Sequence, residues 1–194
     1  LNLDLTKRYT YADYLTWWDD KRRELIDGFI KMMSPAASSI HESISVNLIY
    51  YLQGYIKNNK GGCKVFSAPF DVRIPVDGET SDKKIYTVVQ PDICVVCDRS
   101  KIDKRGCLGA PDMIVEILSP SSLKRDTVEK FPLYERAGVR EYWVVNPDAP
   151  SVNVFILQND GQYDAGTVYE DDAKEIPVYI FDGFSLQWED IFEE

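Results

Sequence analysis

Two short apolar segments, each with a carboxylate inside it, constrain this chain more than any other feature. The first is Val89–Val96, which contains Asp92, and the second is Met113–Leu118, which contains Glu116. Short runs rich in β-branched residues predict buried strands. A buried carboxylate is costly unless it is paired, hydrogen-bonded or bound to a cation. The pattern therefore predicts two neighbouring strands whose carboxylates share a cation.

The composition is that of an ordinary globular protein. Of the 194 residues, 44% are hydrophobic and 28% are charged, and this length predicts one domain over residues 1–194. No apolar run approaches the roughly 18 to 20 residues that a membrane helix needs. The first five residues also lack the basic start and apolar core of a secretory signal. We therefore expect a cytoplasmic protein.

The four cysteines do not predict disulfide bonds in a chain without a secretory signal. Cys94 and Cys97 form a C-x-x-C pattern, but residues three apart on a strand face opposite sides. The only histidine, His41, cannot complete a zinc site with them. We expect the cysteines to be small buried hydrophobic residues.

The charge is acidic and uneven. The formal net charge of −10 argues against loose nucleic-acid binding, which depends on phosphate contacts. From Asp164 to Glu194, however, ten acidic residues stand against Lys174 alone, which leaves −1 for the rest of the chain. The segment Arg99–Arg105 has four basic residues against one aspartate. A local anion-binding face is therefore compatible with the overall charge.

Periodicity and turn signals predict a mixed α/β (α+β) protein with a central sheet flanked by helices. Helices are expected at Tyr9–Leu15 with Thr10 as its cap, at Ser39–Lys57, and from Ser121 or Ser122 to Ala137. A hairpin with an Asp-Gly turn is expected at Arg23–Met33. Further strands are predicted at Lys64–Phe66, Phe70–Ile74, Thr87–Cys97, Met113–Leu118, Glu141–Asn146, Val152–Leu157, Gly161–Val168 and Ala173–Tyr179.

The carboxylate pair fits a hard divalent cation. Mg²⁺ and Mn²⁺ prefer oxygen ligands, usually one or two carboxylates with water and substrate phosphate. Asp92, Glu116 and the peptide carbonyl of Ile117 can supply such oxygens, and Glu24 is a candidate third carboxylate. A lysine near such a metal would offset charge that develops on a phosphate.

Several motifs, in content and order, resemble the Uma-two family of restriction-endonuclease-like proteins, which belongs to the PD-(D/E)XK nuclease superfamily. The resemblance runs from about Tyr9 to Phe192. It rests on Glu24-Leu25-Ile26-Asp27-Gly28, His41, Val89-Gln90-Pro91-Asp92, Val115-Glu116-Ile117-Leu118-Ser119-Pro120-Ser121, Asp126, Glu129-Lys130, Tyr134, Ala137-Gly138-Val139 and Glu141-Tyr142-Trp143-Val144-Val145. It implies a restriction-endonuclease-like mixed central sheet and a metal-dependent phosphodiesterase.

The resemblance also assigns residues and exposes one departure. Pro91-Asp92 corresponds to the PD, and Glu116-Ile117-Leu118 to the (D/E)XK, so Leu118 stands where the superfamily has its lysine. Lys130 is the first candidate to replace that lysine, and Lys124 is the second. Glu24 corresponds to the acidic residue that the superfamily often contributes from its N-terminal part.

Each assignment also has a plainer structural explanation. Asp92 and Glu116 could simply accept backbone hydrogen bonds at strand ends. Glu24 could form an ion pair with Arg22 or Arg23, and Lys130 could be a solvated helix lysine paired with Asp126. A lone histidine such as His41 is often structural, and Ser119 could only begin a turn. His41, Ser119 and Lys124 are the candidate site-lining residues.

The residues and the resemblance together predict a Mg²⁺- or Mn²⁺-dependent endonuclease that hydrolyses DNA. In this hypothesis Asp92 and Glu116 hold the metal with the Ile117 carbonyl, Glu24 assists, and Lys130 stabilises charge. The alternative is an inactive nuclease-fold protein that binds nucleic acid or a protein partner through Arg99–Arg105. The superfamily often works as dimers, and the apolar segment Phe181–Trp188 also favours a homodimer.

Overall fold

The N-terminal third follows the predicted elements closely. A computed structural model describes residues 1–33, 38–120 and 125–192. Helix α1 (Tyr11–Tyr14) begins at the predicted cap, Thr10, which forms a capping box with Asp13. Strands β1 (Arg23–Ile26) and β2 (Phe29–Met32) form the predicted hairpin. Asp27 and Gly28 turn it with φ angles of 52° and 89°, as a primed two-residue turn requires.

The remaining elements are more numerous than predicted, and several of the strands are shorter. Helix α2 spans Ser39–Asn58, α3 spans Phe131–Ala137 and α4 spans Trp188–Phe192. A 3₁₀ turn covers Arg99–Lys101, and a π-helical turn over Arg125–Lys130 leads into α3. The other strands are β3 (Lys64–Ser67), β4 (Val72–Arg73), β5 (Val88–Val89), β6 (Ile93–Val96), β7 (Ile102–Asp103), β8 (Gly106–Leu108), β9 (Met113–Ile117), β10 (Glu141–Asn146), β11 (Ser151–Ile156), β12 (Thr167–Tyr169), β13 (Glu175–Pro177) and β14 (Ser185–Gln187).

Within the described residues the strands form two six-stranded sheets and one small pair. The first sheet has the order β2-β1-β5-β4-β8-β7, and the second has the order β12-β11-β10-β9-β6-β3. Strands β13 and β14 pair separately. Both large sheets mix parallel and antiparallel neighbours. The predicted mixed α+β class is therefore confirmed, although two large sheets stand where one central sheet was expected.

The second sheet arises because Pro91 divides a segment that was predicted as one strand. Instead of a continuous strand over Thr87–Cys97, β5 belongs to the first sheet and β6 to the second. Proline has no N–H to donate to a strand ladder, so it ends β5. The segment 90–92 then crosses between the sheets and delivers Asp92 to the start of β6.

Alternation along the second sheet sorts its side chains onto two faces. Ile93, Val115 and Trp143 pack toward the apolar side of α2, whereas Cys94, Ile114 and Tyr142 pack toward α3. Successive side chains on a strand point to opposite faces. Glu116, two residues after Ile114, therefore faces α3, which ends at Gly138 in the left-handed conformation.

The C-terminal apolar segment packs within its own chain. The ring of Phe184 stacks on Tyr55 of α2 with centroids 4.2 Å apart, and Leu186 is buried in the core that α2 shares with the second sheet. The segment Phe181–Trp188 is therefore not the exposed surface that favoured a homodimer. Among the residues that the structure describes, none of the helices has the length and apolarity to cross a bilayer.

The expectation for the cysteines is wrong for two of the four. Cys63 and Cys97 form a disulfide bond across the ends of β3 and β6, because the pairing of Lys64 with Val96 brings the preceding and following residues together. Cys94 and Cys107 are free and buried, as expected. Cys97 pairs with the distant Cys63 rather than with Cys94, as the alternation of faces requires.

We predict that reduction of the Cys63–Cys97 disulfide lowers the stability of the protein. The bond links residues 34 apart, and the loop-entropy model gives about 3 to 4 kcal/mol for a loop of this size. Urea unfolding with and without dithiothreitol measures the change. The Cys63→Ala variant should match the reduced wild type and be insensitive to dithiothreitol. A wild type that unfolds identically in both conditions would contradict the prediction.

Candidate functional site

A buried lysine between two carboxylates is the centre of the candidate site. The Nζ atom of Lys130 lies 2.8 Å from Oε1 of Glu116 and 3.0 Å from Oε1 of Glu24. The three side chains are at most 3% exposed. Because water does not screen such a cluster, its members hold one another in place.

Each member of this cluster comes from a different part of the fold. Glu24 lies on β1 in the first sheet, Glu116 on β9 in the second sheet, and Lys130 at the end of the π-helical turn. The backbone N–H of Gln90 also donates to Oε1 of Glu24 at 2.8 Å. The two ion pairs of Lys130 therefore link the helical layer to both sheets at one point.

Tyr134 is a fourth member of the cluster that the sequence analysis did not assign to the site. Its hydroxyl donates to Oε1 of Glu116 at 2.6 Å. Burial raises the pKa of Tyr134 well above its usual value, and the charges of Glu116 and Glu24 raise it further. The phenol therefore stays neutral and acts as a hydrogen-bond donor. Tyr134 follows Lys130 by four residues, and that helical spacing is the signal that could have indicated it.

Asp92 lies beside this cluster at the start of β6. The β6–β9 register, continued by one residue, sets Asp92 opposite Glu116. Its Oδ2 atom accepts the backbone N–H of Ile117 at 2.7 Å, and its side chain is 22% exposed. Asp92 is thus the member of the carboxylate set that solvent can reach.

His41 approaches Asp92 from the first turn of α2. Its Nε2 atom lies 3.3 Å from Oδ2 of Asp92, and its backbone N–H donates to the capping hydroxyl of Ser38. Burial lowers the pKa of His41, but the hydrogen bond and charge of Asp92, with the charge of Glu42, raise it by more. His41 therefore carries a proton more readily than a free histidine.

The donor chemistry of these carboxylates suits a hard divalent cation. Mg²⁺ needs only one or two protein carboxylates when water and phosphate complete its shell. Asp92, just before β6, and Glu116, on the adjacent β9, are two such carboxylates. Among the described residues no set of three or more His, Cys, Asp or Glu side chains is arranged to hold a metal by itself. A metal here would therefore take one or two protein carboxylates, with water and phosphate completing its shell.

The remaining candidate residues are placed as follows. Leu118 is an apolar side chain buried in the core that faces α3, so no positive charge stands at the position of the motif lysine. Ser119 lies half-buried just after β9. Lys124 lies outside the described residues. Glu24 pairs with Lys130 rather than with its neighbours, because Arg23 binds Asp19 and Arg22 binds the side chain of Gln90.

Gln90 is a second residue that sequence reasoning missed. Besides its backbone bond to Glu24, its side-chain amide donates to Asp71 at 2.9 Å and its carbonyl accepts from Arg22 at 3.0 Å. A polar residue directly after the buried valines of β5 is the only sequence signal for this role. Gln90 ties the loop before β6 to the exposed Arg22 at the rim of the site.

The basic segment Arg99–Arg105 is largely engaged in structural contacts. Arg99 and Lys101 donate to the backbone carbonyls of Gly62 and Ala110, at 2.8 Å each. Arg105 forms an ion pair with Asp82 at 2.6 Å. These contacts leave little of the segment's charge for a ligand.

Comparison with known proteins gives matches over nearly the whole chain. The family model "Uma2: Putative restriction endonuclease" matches residues 11–189. An uncharacterised protein of Synechocystis sp. is 27% identical over 154 residues, which cover 78% of this chain and 75% of the relative.

A solved structure shares the fold. The crystal structure of "a putative nuclease belonging to DUF820" from Anabaena variabilis superposes with a TM-score of 0.74 at 21% identity. The match covers 95% of this chain and 97% of the other. Because the identity is low, this likeness supports the mixed fold and not a particular activity.

We predict that Lys130→Met destabilises the protein by about 3 to 5 kcal/mol, because Glu24 and Glu116 would be left as uncompensated buried charges. Lys31→Met is a matched control. Lys31 pairs with Glu129 at 2.6 Å, but both side chains are about one-third exposed, and such surface pairs contribute at most about 1 kcal/mol. Urea unfolding of both variants measures the difference. Equal losses would show that the Lys130 cluster is not a buried ion-pair network.

Proposed function

The chain belongs to the Uma2 family, and we propose that it is a divalent-metal-dependent endonuclease that hydrolyses DNA phosphodiester bonds. The observation that carries the proposal is the position of Asp92, bonded to the N–H of Ile117, next to Glu116, which binds the ammonium of Lys130. Carboxylates beside a fixed cation are what metal-assisted phosphodiester hydrolysis needs. The description of the family as restriction endonucleases supports the same reaction class.

In this proposal Asp92 and Glu116 hold Mg²⁺ or Mn²⁺ together with the carbonyl of Ile117. The bound ion would polarise the phosphate and lower the pKa of an attacking water. Asp92 is oriented for this role by the N–H of Ile117, and His41 holds its Oδ2 from the other side. Ser119, two residues after the end of β9, is the further residue proposed to line this site.

Lys130 offsets negative charge that builds up on the phosphate in the transition state. Its ammonium is already fixed by Glu24 and Glu116, so little reorganisation is needed when that charge develops. Glu24 assists by holding Lys130 in position, and Tyr134 does the same for Glu116. Lys130 thus takes the role that the residue at Leu118 has in the superfamily motif.

The alternative function is that of an inactive nuclease-fold protein that binds nucleic acid or a protein partner. The net charge of −10 and the apolar Leu118 favour it. The engaged side chains of Arg99, Lys101 and Arg105 count against that segment as the binding surface. We therefore place the nuclease first.

The proposal includes a homodimer that acts in the cytoplasm. The backbones of duplex DNA are related by local two-fold symmetry, so a two-fold dimer offers one site to each strand. In a reducing cytoplasm Cys63 and Cys97 would be held as thiols.

We predict that Asp92→Asn abolishes Mn²⁺ binding and lowers plasmid nicking on the order of 100-fold or more, the scale of losing one preorganised electrostatic group. The asparagine carbonyl can still accept the N–H of Ile117, so the fold should be retained. Isothermal titration with Mn²⁺ and a supercoiled-plasmid assay measure the two effects.

Asp112→Asn is the matched control for this experiment. Asp112 also follows a proline and precedes a strand, but its carboxylate accepts the N–H of Cys97 and pairs with Arg140. This variant should bind Mn²⁺ and nick DNA within a few-fold of the wild type. Normal nicking by Asp92→Asn would refute the assignment, and a wild type that binds no Mn²⁺ would favour the inactive alternative.

A further inference from the structure

The outward face of α2 carries exposed apolar residues at its centre. Val46 and Tyr50 lie one turn apart and are 62% and 71% exposed. The opposite side of the helix is buried through Ile44, Leu48 and Leu52. Packing against the sheet therefore explains the apolar residues on the buried side of α2, but not the exposed Val46 and Tyr50.

The two ends of this face have opposite charges. Glu42 is exposed in the first turn of α2, and Lys57 is exposed in the last turn. They are 15 residues apart, so they lie about 22 Å apart along a helix that rises 1.5 Å per residue. A face with an acid at one end, a base at the other and apolar residues between them is complementary to itself when reversed.

We propose that this face binds the same face of a second copy of the chain, with the two α2 helices antiparallel about a two-fold axis near Tyr50. Two-fold interfaces require a patch to be complementary to itself. With Tyr50 opposite its counterpart, Val46 lies opposite Gly54, and Glu42 lies within one residue of Lys57 of the second copy. One two-fold rotation therefore brings the two apolar centres together and places each acidic end beside a basic end.

Gly54 makes a close approach of the two helices feasible. A Cβ built at this position meets nothing within 4 Å. A shallow hollow beside it is lined by Tyr50, Gln53 and Lys57, among others. Glycine inside a helix lowers its stability by about 1 kcal/mol relative to alanine. In the proposed dimer, Gly54 leaves the space that Val46 of the second copy occupies.

This pairing deepens the proposed function, because it would offset the negative charge of Glu42 beside the proposed active site. Glu42 directly follows His41, whose ring contacts Asp92. Lys57 of the second copy would therefore stand near the mouth of the site, where a DNA backbone must approach. A typical interface buries about 800 Å² per partner, so α2 would form its centre and neighbouring surfaces its rim.

Sedimentation equilibrium of the full chain tests the pairing through Gly54. The wild type should be a dimer at micromolar concentration, and Gly54→Gln should raise the dimer dissociation constant at least about tenfold by filling the close approach. A Cβ at Gly54 meets no neighbouring atom within 4 Å, so the variant should remain folded. Trp18→Gln removes an 87% exposed aromatic elsewhere and should leave association unchanged. A monomeric wild type, or a dimer indifferent to Gly54→Gln, would overturn the proposal.

Charge reversal tests the antiparallel register. Glu42→Lys alone should weaken the dimer, because it places like charges together at both symmetric ends. The double variant Glu42→Lys/Lys57→Glu should restore association. Glu79→Lys changes the charge equally at an exposed pair with Lys84 and serves as the control. Failure of the double variant to recover would refute this register. These measurements use neither metal nor DNA, so their failure is distinguishable from failure of the nuclease proposal.

Discussion

The ammonium of Lys130 between Glu24 and Glu116 is the interaction on which the arrangement of this protein depends. It joins a strand of each large sheet to the helical layer, and all three groups are withdrawn from water. Desolvating such charges is expensive, and the expense is offset only where the geometry is close and further hydrogen bonds are present. Tyr134 and the N–H of Gln90 supply those bonds. A cluster with these requirements admits few alternative positions for the elements that carry it.

Residues 90–92, which connect the two sheets, form the side of this cluster that faces solvent. Gln90 binds Glu24 through its backbone, Pro91 ends the first sheet's strand, and Asp92 binds the N–H of Ile117 in the second sheet. One short segment therefore contacts both strands that carry the buried carboxylates. Asp92 is partly exposed, whereas Glu24 and Glu116 are buried, so this segment carries the most accessible carboxylate of the group.

The sequence predicted what local signals determine and missed what distant contacts determine. The capped α1, the Asp-Gly hairpin and the periodic α2 follow from neighbouring residues, and they were predicted to within a few positions. The neighbouring positions of the two strands near Asp92 and Glu116 were also predicted. The division at Pro91, the Cys63–Cys97 bond and the packing of Phe184 on Tyr55 depend on which strands and helices meet. Periodicity carries no information about such long-range pairing.

In the proposed function Lys130 takes the role of the lysine that the motif would have at Leu118, because its position in space matters more than its position in the motif. Residues 116 and 118 share one face of β9, the face that α3 covers. A lysine at residue 118 would reach Glu116 along the strand, whereas here the helical layer above that face supplies the ammonium, and leucine fills the apolar space below it. The electrostatic environment of Glu116 depends on the 2.8 Å contact with Nζ and not on which element carries the lysine. The lysine that neutralises Glu116 therefore need not come from the strand that carries Glu116.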